Sequence, residues 1–342
     1  MQETVLILGA RGRFGLATAK AFADAGWHVL AHMRVGGKVP QQAQGDARIH
    51  WLEGNLHDTS SLAHVARAQA PRQEVAVVVH ALNPAYTNQD WKEQALPMTD
   101  AALELCKVLN ATLMLPGNNY NFGADMPARL AEDTPQAART IKGQIRIAME
   151  AHIQRSGVRS IVIRAGDFFG AGNGTWFDQA IVKDLAKGVF TYPGAFDVAT
   201  AWAYLPDLAR AFVAVANKRA QTKPFEVLHF AGYTISARQW LEVLSPLALA
   251  RGWVKSGEGL RYKRLPWALI RLGGVFVPTW AALAEMRYLW DSPHALANEK
   301  LTALIGAEPH TQLDVAAQVA LADLGMLQQI NLQQPGVGAE FA

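Results

Sequence analysis

Apolar runs rich in β-branched residues recur at Thr4 to Leu8, His28 to Met33, Ile49 to Leu52, Val75 to His80, Ala111 to Leu115 and Ser160 to Arg164. The stretches between them repeat apolar positions with helical spacing, so strand and helix alternate. The runs are almost continuously hydrophobic, which predicts strands covered on both faces, as parallel strands between two helix layers are. This alternation predicts an α/β fold with a doubly wound parallel sheet. Past Ser160 to Arg164 the pattern loosens: 166–194 is rich in glycine and aromatic residues, and a further apolar run, Phe225 to Phe230, is expected to return to the sheet. The chain therefore divides into a sheet domain over 1–165, a smaller, mainly helical C-terminal substrate portion over 166–330, and a tail over 331–342.

The first predicted strand runs directly into Gly9-Ala10-Arg11-Gly12-Arg13-Phe14-Gly15, with helix-forming sequence from Leu16 to Ala25. Gly9 suits a tight turn, Gly12 lets the backbone approach a pyrophosphate, and Gly15 lets the helix pack close to the strand. The helix N-terminus then presents free N–H groups to phosphate. The spacing is G-x-x-G-x-x-G, and its place between first strand and first helix makes Gly9 to Gly15 the predicted dinucleotide cradle of a Rossmann domain. At the end of the second strand, where an acid would bond the ribose hydroxyls of NAD, the sequence reads His32-Met33-Arg34. With Arg11 and Arg13 nearby, Arg34 favours the 2′-phosphate of NADP(H); NAD is the alternative if Arg34 is only a solvated residue after a strand.

Composition narrows the class. Of 342 residues, 50% are hydrophobic, which suffices for a sizeable core. The net charge is only +3 and Lys and Arg are dispersed, which argues against a nucleic-acid partner. The single cysteine, Cys106, cannot form an internal disulfide and no secretory pattern precedes Thr4, so a cytoplasmic protein is expected. The longest apolar stretch, Leu265 to Ala284, is interrupted by Arg271, Gly273-Gly274 and Pro278. It predicts a buried cap over a pocket rather than a span, and no membrane partner is expected. The ten histidines show no metal-ligand spacing and no G-x-S-x-G elbow is present, so neither a metal site nor an acyl-transfer nucleophile is predicted.

The glycine spacing resembles that of the short-chain dehydrogenase/reductase superfamily, in particular its extended and atypical branches, which include nucleotide-sugar epimerases and dehydratases. Further segments are similar to family motifs over about Thr4 to Leu324. Gly54-Asn55-Leu56-His57-Asp58 looks like the G-D-L-x-D turn beside the adenine, which implies cofactor contacts from Asn55 and Leu56, while Asp58 suits a helix N-cap. His80 to Tyr86 is similar to the H-x-A-x-x-P segment under the nicotinamide, which implies roles for Ala81, Leu82 and Asn83 and places Tyr86 near substrate. Ile163-Arg164-Ala165-Gly166-Asp167-Phe168-Phe169-Gly170 resembles L-R-x-x-N-x-Y-G, with Asp167 at the Asn position, where it anchors a substrate hydroxyl, pairs with Lys142, or caps a turn. Trp176 reads either as a substrate-lining aromatic or as core.

The resemblance thins at the reaction centre. The family's Ser after the fifth strand is replaced by Asn118, whose amide can still stabilise a carbonyl oxygen. Alignment of the next helix through Glu150 puts Lys142 at the Tyr of Tyr-x-x-x-Lys and Arg146 at the Lys; the competing register makes Lys142 the Lys and leaves Ala138 at the Tyr. Tyr120 is the substitute acid–base candidate, with its phenol expected to be lowered by Lys142 or Arg146; packing under the loop is its bland alternative. Two functions follow: an NADP-dependent epimerase, dehydratase or reductase acting on a hydroxyl or carbonyl of a small or nucleotide-linked substrate, or a non-catalytic NADP(H)-binding redox sensor. A monomer or homodimer is expected.

Overall fold

A computed structural model describes residues 2–328, and the predicted tail over 331–342 lies outside the described residues. The apolar runs form a central parallel sheet: β1 (Thr4–Leu8), β2 (His28–Met33), β3 (Ile49–Glu53), β4 (Val77–His80), β5 (Thr112–Asn118), β6 (Ser160–Ala165) and β7 (Phe225–His229). The strand order is β3-β2-β1-β4-β5-β6-β7, a doubly wound arrangement that reverses direction between β1 and β4. All five residues of β1 are buried. Helices α1 (Arg13–Asp24) and α5 (Leu205–Lys218) pack on one face. On the other, α2 (Thr59–Gln69), α3 (Asn88–Leu109) and α4 (Ile141–Arg155) pack side by side.

Local chemistry sets several of these boundaries. Asp58 caps α2 by accepting from Ser61 N, Thr87 caps α3 through Asp90 N, and Thr140 caps α4 through Gly143 N. Helix α3 ends where Asn110 adopts a left-handed conformation at φ 55°. The C-terminal portion is mainly helical, with α6 (Ala237–Ala250), α7 (Trp267–Gly273), α8 (Pro278–Glu285) and α9 (Tyr288–Asp291) before two further helices, and it adds three small sheets. Its core is aromatic: Phe169 lies within 5.2 to 6.3 Å, ring to ring, of Trp202, Tyr204, Tyr233 and Trp240. Phe177 is buried in the same cluster.

The expected buried cap over Leu265 to Ala284 does not form. That segment is the antiparallel hairpin of α7 and α8, in which only Trp267 and Ala282 are buried and the outer face is open. Each helix is a short piece packed on one side only, so the total hydrophobicity of the stretch misreports its burial.

A buried ion pair ties α4 to β6 within the sheet domain. Arg164, at the end of β6, donates through Nε and Nη2 to the Glu150 carboxylate of α4 at 3.1 and 2.6 Å, and both side chains are almost fully buried. Asn121 Nδ2 donates to the same carboxylate at 2.9 Å, and Arg164 Nη1 lies 3.3 Å from His229 Nε2. Removing one partner strands a charge in low dielectric. Glu150→Ala is expected to lower unfolding free energy by about 3–5 kcal/mol, read from the denaturant midpoint.

Candidate active site

The glycine turn has the geometry of a nucleotide cradle. Gly9 adopts φ +78°, and a Cβ there would sit 2.8 Å from the Ala81 carbonyl oxygen; one on Gly15 would sit 2.3 Å from Gly9 O. Both positions therefore exclude side chains so that the first βα turn can fold under the end of β4. Gly12 is the N-cap of α1, with no side-chain cap and no acid in the first turn, so the leading amides of the helix are left to an anion. These residues fit a dinucleotide pyrophosphate. Arg13 leaves the turn sideways: its Nη1 donates to Asn173 O at 2.8 Å and fills the space that a side chain on Gly174 would need. Phe14, predicted on the cofactor face, turns its ring into the core against Phe168 and Phe212 at 6.2 and 4.9 Å. An amphipathic helix presents successive residues to different faces, and Phe14 falls on the apolar one.

Arg11 and Arg34 are exposed around the turn that follows β2. In the same turn Gly36 N donates to Glu53 Oε2 at 3.1 Å, so the nearest acid is engaged by backbone. Asn55 Oδ1 accepts from His57 N at 3.1 Å, which closes the loop after β3 and leaves the Asn55 amide hydrogens outward; Leu56 is buried beneath it.

The polar cluster lies at the carboxyl ends of β4, β5 and β6. From β4 the chain delivers Asn83 and Tyr86, then Asn88 and Trp91 on the first turn of α3; from β5 it delivers Tyr120; from β6, Asp167. Lys142 and Arg146 project one turn apart from the buried face of α4. Lys142 is fully buried, its Nζ donates to Asn88 Oδ1 at 2.6 Å, and it stands 4.5 Å over the Tyr86 ring. Burial pulls its ammonium down to about 8, against the opposing field of Glu285. Glu285, at the end of α8, accepts from Ile141 N at 2.7 Å and Asn88 Nδ2 at 2.8 Å. Arg146 stacks on Trp91 at 5.0 Å, with Nη2 3.4 Å from Asn83 Oδ1.

Asp167 departs from two of its three sequence readings. Its carboxyl neither pairs with Lys142 nor caps a turn, and it has no hydrogen-bond partner among the described residues; burial alone pushes it up to about 7. A substrate hydroxyl is the role left open to it. Tyr120 is corrected in direction: its phenol is pushed up to about 12, by burial first and then by Asp167, with a hydrogen bond from Tyr86 and the charge of Arg146 opposing. Lys142 exerts no such pull. Asn118 spends its Oδ1 on Tyr120 N at 3.0 Å, holding the loop that carries Tyr120. Trp176 lies edge-on to Trp290 at 5.1 Å and near Trp267 at 6.2 Å, half-buried between the C-terminal core and the α7–α8 hairpin.

Sequence reasoning missed Asn88, Trp91, Glu285 and Tyr288, whose O–H reaches Tyr120 O at 3.4 Å. One signal was present: Gly143 inside a helix. A Cβ there would lie 2.4 Å from Ala138 Cβ and 2.6 Å from Tyr120 O, so the glycine is what lets the first turn of α4 approach the Tyr120 loop.

A sequence profile described as the RmlD substrate binding domain matches residues 3–243. The chain belongs to this family. It therefore sits in the short-chain dehydrogenase/reductase superfamily, on the epimerase/dehydratase branch. No curated protein matches it in sequence. Among solved structures, it is similar to UDP-glucose 4-epimerase from Brucella ovis in complex with NAD (17% identity, TM-score 0.70, 94% of this chain and 98% of that one). It is also similar to the UDP-Glc/GlcNAc 4-epimerase of Campylobacter jejuni (13%, 0.70, 94% and 98%). A third is UDP-glucuronic acid 4-epimerase from Bacillus cereus in complex with NAD (16%, 0.69, 93% and 96%). At these identities the likeness establishes the family fold alone.

Within that fold, Asp167 supplies a direct test of the buried cluster. A carboxyl whose folded value is raised stabilises the fold while protonated, below the ordinary carboxylate range, and loses that contribution as pH rises through about 7. Asp167→Asn is expected to be more stable than wild type by about 1–2 kcal/mol near pH 9 and equal to it near pH 4, in paired thermal melts.

Proposed function

We propose that the chain is an NADP(H)-dependent enzyme of the epimerase, dehydratase or reductase type, acting on a hydroxyl or carbonyl of a small or nucleotide-linked substrate. One observation carries this reading: Lys142 and the unpaired Asp167, with proton affinities drawn towards neutrality, share a cluster at the strand ends beside an uncapped glycine turn. Groups so tuned are suited to proton transfer. The NAD complexes of the Brucella and Bacillus epimerases support a nicotinamide cofactor. Exposed Arg11 and Arg34, with Glu53 tied to Gly36, support the 2′-phosphate form.

When bound, the nicotinamide would exchange hydride with substrate carbon. Gly9, Gly12 and Gly15 would hold its pyrophosphate, and Ala81, Leu82 and Asn83 would flank its other half. In the register fixed by Glu150, Lys142 stands at the family's Tyr position and Arg146 at its Lys position. Lys142 holds a proton at Nζ and passes it to or takes it from the substrate oxygen. Asn88 orients that proton: its Oδ1 accepts from Lys142 and its Nδ2 donates to Glu285, so its amide has one orientation. Arg146 keeps the cluster cationic, Tyr86 and Tyr120 supply neutral O–H donors, and Asp167 receives a substrate hydroxyl. The substituted Ser and Tyr positions favour the second reading, a non-catalytic NADP(H) sensor, and the experiment separates the two. A cytoplasmic monomer or homodimer accompanies either reading.

Calorimetric titration with NADPH and NADH should show NADPH bound about tenfold tighter, and Arg34→Ala should abolish the preference. On the holo protein, carbonyl substrates should deplete nicotinamide absorbance, and Lys142→Met should cut that rate about 100-fold or more without changing NADPH affinity. Binding with no turnover across the substrate set would assign the sensor. Absence of binding by either nucleotide would remove both readings.

A further inference from the structure

The α7–α8 hairpin carries an apolar surface that the reaction does not use. Leu269 is 63% exposed, Leu272 69%, Val275 77% and Phe276 86%, with Trp280 beside them at 42%. They project at the tip of a built element. A Cβ on Gly273 would lie 2.4 Å from the Trp280 ring, so glycine at the turn is what lets the two helices close against each other. At the base, Trp267 Nε1 donates to Pro193 O at 2.6 Å and anchors the hairpin. A contiguous apolar tip of this kind marks a docking surface.

Charge identifies the occupant. Between 255 and 281 the chain carries Lys255, Arg261, Lys263, Arg264 and Arg271 against one acid, Glu258. Arg261, Lys263 and Arg264 are exposed on the short strand that leads into α7, and Arg271 is exposed in its last turn. None of the five enters a salt bridge among the described residues. An apolar tip, an indole beside it and a basic base form the pattern of an element that lies in a membrane interface. Each exposed cation near an anionic leaflet adds electrostatic attraction to its headgroups. Two copies of this face brought together would oppose their cations. No described helix is long and apolar enough to cross a membrane, so the contact is with one leaflet's surface.

We propose that the α7–α8 hairpin docks this protein on anionic lipid bilayers, with Leu272, Val275, Phe276 and Trp280 entering the interface and the basic residues meeting headgroups. This inference is independent of the reaction proposed above. The sequence expectation of no membrane partner was argued from spans, whereas this proposal concerns contact with a surface. The docked element also lies against the candidate site, since α8 ends in Glu285 and so holds Ile141 N and Asn88.

The test is co-sedimentation of the full chain with phosphatidylcholine vesicles, with and without phosphatidylglycerol. Binding is expected on the anionic vesicles, to be weakened by high salt, and to fall about tenfold or more in Leu272→Asp/Phe276→Asp. Both positions are exposed, and an unchanged melting temperature verifies that the variant is folded. Failure of the wild-type protein to sediment with anionic vesicles would overturn the proposal. So would a wild-type dimer that the double variant converts to monomer in sedimentation velocity, because the face would then belong to a second copy.

Discussion

The buried pair of Arg164 and Glu150 fixes the geometry on which the candidate site depends. A bidentate guanidinium–carboxylate contact tolerates little rotation of either partner, so it sets the rotation of α4 against β6. Once Glu150 faces inward, Arg146 and Lys142 must face inward too, one and two turns earlier on the same helix. Met149 and Ile153 are buried on the same face and reinforce that choice, while the other hydrophobic residues of α4 are spread around the helix. Asn121 on the same carboxylate extends the constraint to the loop that carries Tyr120.

The site concentrates ionisable groups where water is scarce and leaves the compensation incomplete. Lys142 has a hydrogen-bond acceptor in Asn88 but no carboxylate in direct contact, and Asp167 has neither partner. Elsewhere in the interior the protein satisfies such groups: Asp207 receives Thr311 N and Oγ1, and Glu150 receives Arg164 and Asn121. The contrast separates groups that hold the fold from the incompletely paired groups of the candidate site.

The sheet was legible because parallel strands buried on both faces leave unbroken apolar runs. Even β5 could be placed, although it extends past the predicted Leu115 through Pro116 to Asn118. The missing N–H of Pro116 goes unmissed because β4 pairs with β5 only over Thr112 to Met114, while β6 continues alongside to Asn118. The glycine turn was legible because backbone proximity demands glycine at Gly9 and Gly15. The site was legible only in part. Lys142, Arg146 and Asp167 stand in recognisable motifs, whereas Glu285 and Tyr288 arrive from a segment with no strand or glycine punctuation to place it. The direction of the Tyr120 shift was missed because charge neighbours can be guessed from helical spacing, but burial cannot. The α7–α8 surface was misread because hydropathy measures how apolar a segment is and not what covers it.

Glu285 gives the site an order of assembly. Synthesis is vectorial, and the sheet has all its strands once Phe225–His229 has been made. At that length the glycine turn and α4 with Lys142 have already been made. The carboxylate that accepts from Ile141 N and turns the Asn88 amide lies more than fifty residues further on. Along the chain the glycine turn therefore precedes the last residue of the candidate cluster, which is carried by the hairpin whose other end faces outward.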